Sequence, residues 1–175
     1  MQTTNGITLV ELLVTISVAS ILATVAVPSL YSLINSNRLT TVTNTLLSSF
    51  YLTRSEAIKR NTRVTMAANS GSWKQGWAVF VDSNANAIAD PGEQIILQNE
   101  AIAGNILIRG NIHVSHYVSY LGTGFSRTLN GALQLGTISV CDGSGVSDGT
   151  HARALRGNYS GRWWVSRDIG IDCGL

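Results

Sequence analysis

Several groups of residues have types and spacings that could support chemistry. The first is a lone carboxylate, Glu11, inside the apolar run from Ile7 to Val27, ITLVELLVTISVASILATVAV. As a helix that run is roughly 31 Å long, close to the thickness of a bilayer core. A carboxylate at mid-bilayer costs about 2.5–3.5 kcal/mol, and less near the interface. Two readings are open: Glu11 snorkels to the headgroups, or it is kept to pair with a positive charge on a neighbouring subunit. The second group is Asp82-x-Asn84-x-Asn86-x-x-x-Asp90-x-x-Glu93. Its oxygens have the spacing of a calcium loop of the EF-hand kind. Ala87 stands where that loop needs Gly, and no helical pattern flanks it. The favoured reading is a polar hairpin turn, with a Ca²⁺ loop as the alternative.

The third group is Gly145-Val146-Ser147-Asp148-Gly149, a G-x-S-x-G pattern with His151 just beyond. A nucleophile elbow needs a strand before it and a helix after it. Here a Gly/Ser/Asp loop leads into another strand-like segment, so a flexible turn is expected. No other acid/base or nucleophile constellation appears, and neither an enzyme nor a bound metal or cofactor is expected. The fourth group is the segment His151–Arg167, HARALRGNYSGRWWVSR. It holds Arg153, Arg156, Arg162 and Arg167 with Tyr159, Trp163 and Trp164, and no acid. Guanidinium groups interleaved with aromatics suit phosphate contact and base stacking. The competing reading is a hairpin turning at Asn158–Gly161. Its tryptophans would pack in a sheet, and its arginines would be solvated or paired with Asp168 and Asp172.

The elements that would position these groups follow from composition and periodicity. The chain has 175 residues, a formal net charge of +2 and only 13% charged residues. That length suits one domain plus an appendage. The overall charge implies neither nucleic acid nor an acidic partner, so local charge distribution matters more. The two cysteines, Cys141 and Cys173, have no zinc-like spacing, and one disulfide is open to an exported chain. The residues before the apolar run, MQTTNG, carry no basic side chain, and the run ends at Val27-Pro28 without a small-residue cleavage site. A retained membrane helix fits better than a secretory signal peptide. After Pro28, apolar residues recur at Leu30, Leu33, Ile34, Leu39, Val42, Leu46, Phe50, Ala57 and Ile58, one stripe at helical spacing. Lys59-Arg60-Asn61 reads as a helix end. A helix continuous from Ile7 would be roughly 80 Å long and kinked at Pro28.

From Arg63 onward the pattern becomes strand-like. The expected strands are Arg63–Ala68, Gly76–Asp82, Gln94–Gln98, Ile106–Arg109, Ile112–Leu121 and Leu133–Val140, separated by Gly, Asn, Asp and Ser. In Ile112–Leu121 alternation puts His116 on the apolar face, as a satisfied core residue. The class is α+β, a long helix packed on antiparallel β-sheets.

Gly6-Ile7-Thr8-Leu9-Val10-Glu11 resembles the processing signal of type IV prepilins and type II secretion pseudopilins. The resemblance implies a pilin-like fold and a cut by prepilin peptidase between Gly6 and Ile7, with Ile7 methylated. It makes Glu11 the glutamate that neutralises the amine of an adjacent subunit during assembly. Ile7 replaces the usual Phe, and the leader lacks the common Lys or Arg. The implied organisation is a leader over 1–6, a transmembrane and assembly helix over 7–28, an amphipathic helix over 29–61 and a β-rich globular domain over 62–175. TRSEAIKRNTRVT, GWAVFVDSNANAIADPGEQI and SGRWWVSRD narrow the resemblance to the GspH/FimT group of minor pilins and pseudopilins. The implied partners are major and minor pilins or pseudopilins, the prepilin peptidase and the inner membrane. The implied location is a single pass through that membrane, with a periplasmic domain later carried into the fibre. In that oxidising space Cys141 and Cys173 are expected to form a disulfide. Some FimT-type members bind DNA through a C-terminal Gly-Arg-x-Arg motif. Gly161-Arg162 matches it, and Trp164 stands at the second Arg. The implied function is a minor pilin of the type IV pilus, priming assembly near the tip, with DNA as one further partner. The H pseudopilin of a type II secretion system is the alternative, and contact with other minor pilins is a third use of the tail.

Overall fold

The computed structural model describes Gly6, residues 8–144, Val146, residues 149–166 and Cys173. One helix, α1 (Leu9–Arg60), precedes β1 (Val64–Ala68), β2 (Trp77–Val81), β3 (Ile95–Asn99), β4 (Leu107–Gly110), β5 (Tyr117–Tyr120), β6 (Gly136–Cys141), β7 (Ala152–Gly157) and β8 (Trp163–Ser166). The chain forms two compact units, Met1–Asn37 and Arg38–Leu175.

In the first unit, α1 starts on a side-chain cap. Thr8 Oγ1 accepts a hydrogen bond from the Glu11 amide at 3.2 Å, and its carbonyl accepts from the Leu12 amide at 3.1 Å. This satisfies donors that a helix start otherwise leaves orphaned. The helix runs through Pro28 as one element. The hydroxyls of Thr15, Ser17, Ser20 and Thr24 donate to carbonyls of the preceding turn at 2.7–2.8 Å. Polar groups tied to their own backbone in this way need no partner from the surroundings, so the surface that remains is apolar apart from Glu11.

In the second unit the rest of α1 supplies a stripe to the core: Leu39, Leu46, Phe50 and Ala57 are fully buried. The helix ends with Asn61 in the left-handed region (φ 49°). The Thr62 amide reaches back to the Ala57 carbonyl at 3.2 Å, and the Asn61 amide to that of Ile58 at the same distance. This is the usual αL stop, with Asn in the place Gly most often takes. Two antiparallel sheets follow, ordered β3-β2-β1-β5 and β4-β6-β7-β8. Val64, Met66, Val79 and Val118 from the first sheet join Ile108, Ile138, Val140, Leu155 and Trp163 from the second in one core with the helix stripe. The Phe50 ring stacks on Trp163 at 4.1 Å between centroids and meets Trp73 edge-on at 6.3 Å. Ser and Thr are tolerated in this buried helix because their hydroxyls are used. Thr53 donates to the Ser49 carbonyl at 2.6 Å, and Ser49 Oγ accepts from Trp77 Nε1 at 3.0 Å.

The expected strand Ile112–Leu121 is corrected to Tyr117–Tyr120. Its first half is a turn, closed by the Val114 amide on the Asn111 carbonyl at 2.9 Å. The Val114 carbonyl accepts from Trp73 Nε1 at 3.0 Å, which fixes Val114 inward and leaves Ile112 89% exposed. His116 is therefore exposed rather than in the core, with Nδ1 2.9 Å from the Gly71 carbonyl oxygen. The expected strand from Leu133 begins at Gly136 instead. Just before it, Gln134 is 1% exposed and uses both ends of its amide. Nε2 donates to the carbonyls of His113 and Tyr117, while Oε1 accepts from the Ser119 amide and the Ser126 hydroxyl.

Cys141 and Cys173 are joined by a disulfide across 32 positions. Together with Ala152, Ala154 and Leu107 they form a small second cluster on the face of β4-β6-β7 away from α1. Closing a loop of this length contributes roughly 3–4 kcal/mol by the chain-entropy estimate. Cys141→Ser is expected to lower stability by about that amount, read as a drop in the urea midpoint. A midpoint equal to the parent's under non-reducing conditions would contradict the estimate.

Candidate functional site

At the N-terminal end, Gly6 is described and Ile7 lies outside the described residues. Glu11 occupies the first turn of α1 and is exposed. A carboxylate there interacts favourably with the positive end of the helix dipole. Among the described residues its side chain has no hydrogen-bond or ion-pair partner. Leu9 is 77% exposed and Val25 72%, and the side chains between them are open on all sides of the helix. The helix is long and apolar enough to cross a membrane, and none of its most apolar stretch is buried within the protein.

The basic-aromatic tail is a hairpin of β7 and β8. The Asn158 amide donates to the Arg162 carbonyl at 3.1 Å, the Gly161 amide to the Asn158 carbonyl at 3.0 Å, and Gly161 sits at φ 83°. A Cβ on Gly161 would lie 2.3 Å from the Gly124 carbonyl oxygen. Glycine at 161 thus serves both the left-handed conformation and the docking of the turn on residues 121–125. Strand parity then divides the candidate residues. Leu155 pairs with Val165 and Gly157 with Trp163 on the core face. The Trp163 ring lies so close over Gly157 that a Cβ there would be 2.4 Å from it.

Arg153 and Trp163 are therefore not on the open face with the other candidates. Arg153 is 7% exposed, on the α1 side, and donates to the carbonyls of Gly149 and Ala152. Trp163 is 2% exposed in its stack with Phe50. Its Nε1 and the buried Tyr120 hydroxyl lie near each other without reaching hydrogen-bond geometry, and burial pushes the Tyr120 hydroxyl far above its ordinary range. Arg167 lies outside the described residues, as do Asp168 and Asp172.

What remains on the outer face is Arg156, directly across from Trp164 in register, and Arg162, which lines a shallow cleft of about 370 Å³ with Asn158 and Trp164. Trp164 is 42% exposed. The same parity puts Thr137 beside Arg156 and places Arg109 of β4 opposite Ser139 on this face. Arg109 was not among the sequence candidates, because its place depends on a pairing between distant strands. Among the described residues, the paired strands put no Asp or Glu on this face.

The other two groups have local roles. In the Asp82–Glu93 loop between β2 and β3, Asp82 is 1% exposed and accepts from Thr65 Oγ1 at 2.7 Å and from the amides of Asn86 and Ala87. Asp90 accepts from the Asn84 and Asn86 side chains, which hold its carboxyl below the usual range. Glu93 accepts from the amides of Ser83 and Asp90. These carboxylates anchor a hairpin turn. The G-x-S-x-G segment lies between β6 and β7, with Gly145, Ser147 and Asp148 outside the described residues. A strand follows it, so the strand-to-helix context of a nucleophile elbow is missing. His151 Nδ1 lies 2.7 Å from Asp142 Oδ2. Burial pushes the Asp142 carboxyl up, but hydrogen bonds from Ser144 and His151 outweigh it and hold the group low.

The family model for the type II transport protein GspH matches residues 42–161. The chain belongs to the GspH family. The prokaryotic N-terminal methylation motif matches residues 1–27, which contain Gly6, Ile7 and Glu11. The chain is 35% identical over 95 residues to the pilin-like protein PilA1 of Thermus thermophilus, covering 53% of this chain and 58% of that protein's length. The fold is similar to the type IV minor pilin FimU of Pseudomonas aeruginosa. One crystal form superposes with a TM-score of 0.63 at 17% identity, over 78% of this chain and 96% of the crystallised FimU chain. A second gives 0.60 at 18%, over 77% and 98%. As a GspH-family chain it is a pilin- or pseudopilin-like minor subunit, structural and not enzymatic. Its long N-terminal helix on antiparallel sheets is the pilin fold.

Proposed function

We propose that the chain is a minor subunit of a type IV pilus, cut between Gly6 and Ile7 and methylated at Ile7. Before assembly, α1 holds it in the inner membrane with the globular domain in the periplasm. During assembly Glu11 pairs with the new amine of a neighbouring subunit, and the chain takes a place near the fibre tip. The observation that carries this reading is the exposed apolar first stretch of α1, over 9–27, whose single charge, Glu11, meets no partner among the described residues. Such a surface needs lipid or other helices around it. A pilus is preferred to a secretion pseudopilus because the curated relative is named pilin-like. In a strain lacking the chain, surface pili should fall and return on complementation, while protein secretion stays normal. The chain should also be found in sheared fibres. Normal piliation with a secretion defect would reverse the preference.

A second reading is favoured by one observation. Arg156, Arg162 and Trp164 share one exposed outer face of the β7–β8 hairpin. Such a face suits contact with DNA. The domain from about Ser29 should shift a DNA probe in a salt-dependent way, and Arg156→Gln with Arg162→Gln should abolish the shift. A double variant that binds like the parent would remove the tail as a DNA surface.

A further inference from the structure

We infer that the outer face of β7 and β8 prefers single-stranded nucleic acid, with a base stacked on Trp164 and neighbouring phosphates held by Arg156 and Arg162. This deepens the DNA reading above and rests on it. In the hairpin, two adjacent tryptophans divide the work: Trp163 is locked in the core against Phe50, and Trp164 presents its ring to solvent. An exposed indole on a sheet face is a stacking platform. Bases inside a duplex have their faces covered by their neighbours, so only an unpaired base offers a free face to this ring.

The cations are placed for the same ligand. Arg156 lies across from Trp164 on the adjacent strand, and Arg162 lies two residues before it on the same edge of the cleft. A strand laid over the indole therefore meets a guanidinium in two directions. Each can bind a phosphate or lie against the aromatic face. Asn158 completes the cleft. Its Oδ1 already accepts from Ser160 Oγ at 2.7 Å and from the Arg162 amide at 3.0 Å. The group it offers to a ligand is the amide nitrogen, a donor suited to a base carbonyl or a phosphate oxygen. Guanidinium donors suit the phosphates of a polyanion, and the ring selects, among polyanions, one with exposed aromatic faces.

The test uses the full chain in non-ionic detergent and fluorescence anisotropy with three probes: an oligothymidylate of about 15 nucleotides, within the span of known single-strand sites, a duplex of equal length, and heparin. The single strand is expected to bind at least ~5-fold more tightly than the duplex, since only it gains the stack. Trp164→Ala should weaken single-strand binding ~5- to 150-fold, the range for losing one base stack. Duplex binding should change less than ~2-fold, and Trp164→Phe should restore most of the loss. Arg156→Gln and Arg162→Gln should each lower the single-strand salt slope by ~0.7. Equal affinity for both nucleic acids, with Trp164→Ala immaterial, would overturn strand preference and leave the DNA reading standing. Binding to neither would overturn both. Heparin bound as tightly as the single strand, unaffected by Trp164→Ala, would also overturn both and leave a plain polyanion patch.

Discussion

Gly6→Val is expected to leave the chain uncut, with residues 1–6 retained and no methyl group on Ile7. A Cβ at position 6 meets nothing within 4 Å. The larger side chain therefore disturbs no packing, and the first hydrogen bonds of α1, which start at Thr8, are untouched. Any loss of processing then reflects the peptidase's need for a residue without a side chain beside the scissile bond. The effect should be close to complete, because an uncut chain keeps its leader on the end that must face a neighbouring subunit. Intact-mass measurement of membrane-extracted protein reads both the cut and the methyl group. The parent should begin at methylated Ile7 and the variant at Met1. A parent that carries Met1 in assembled fibres would sink the proposed processing, and a variant cut normally would sink the role of Gly6.

Much of the fold was legible because its signals are local. Alternation and turn residues marked β1 to β4 to within a residue or two, and Lys59-Arg60-Asn61 marked the end of α1. The failures share one cause. In residues 112–116 the alternation was present, but Trp73 reaches Val114 from 41 positions away and fixes a turn there instead. Leu133 and Leu135 looked like strand interior, yet Gln134 between them is the buried residue, because four groups from two other segments converge on its amide. Period-two patterning cannot anticipate a polar residue that is satisfied only by tertiary partners.

The tail shows the same limit at the candidate site. Its composition announced a basic-aromatic surface but could not say which of two adjacent tryptophans would face out. That choice follows from the register of Gly157 against Trp163, where the absent side chain makes room for the ring. Once the register is set, Arg153 turns inward, Arg156 turns outward, and Arg109 joins from β4.

Glu11→Ala is expected to be processed and inserted normally but to enter fibres ~150- to 5,000-fold less well than the parent, as loss of one partner of a buried ion pair implies. Each alternative cause of such a loss has the wrong sign or is too small. Insertion should improve, since removing the carboxylate removes up to about 3 kcal/mol of cost in the bilayer. The cap survives, because Thr8 Oγ1 bonds the backbone amide of residue 11 and not its side chain. Alanine is at least as good a helix former as glutamate, and the lost dipole interaction is worth only about 0.3–1 kcal/mol. Among the described residues none meets the charge, so the role proposed for it is one in another subunit. A neighbouring subunit's amine in an apolar fibre interior would be left buried and unpaired by the substitution. Glu11→Gln separates charge from shape. It keeps size and hydrogen bonding, so incorporation as poor as that of Ala points to the charge, while parent-like incorporation points to a hydrogen bond. The readout is the ratio of the chain in sheared fibres to the chain in membranes. A parent-like ratio for Glu11→Ala would return Glu11 to the simpler role of a snorkelling side chain in the first turn.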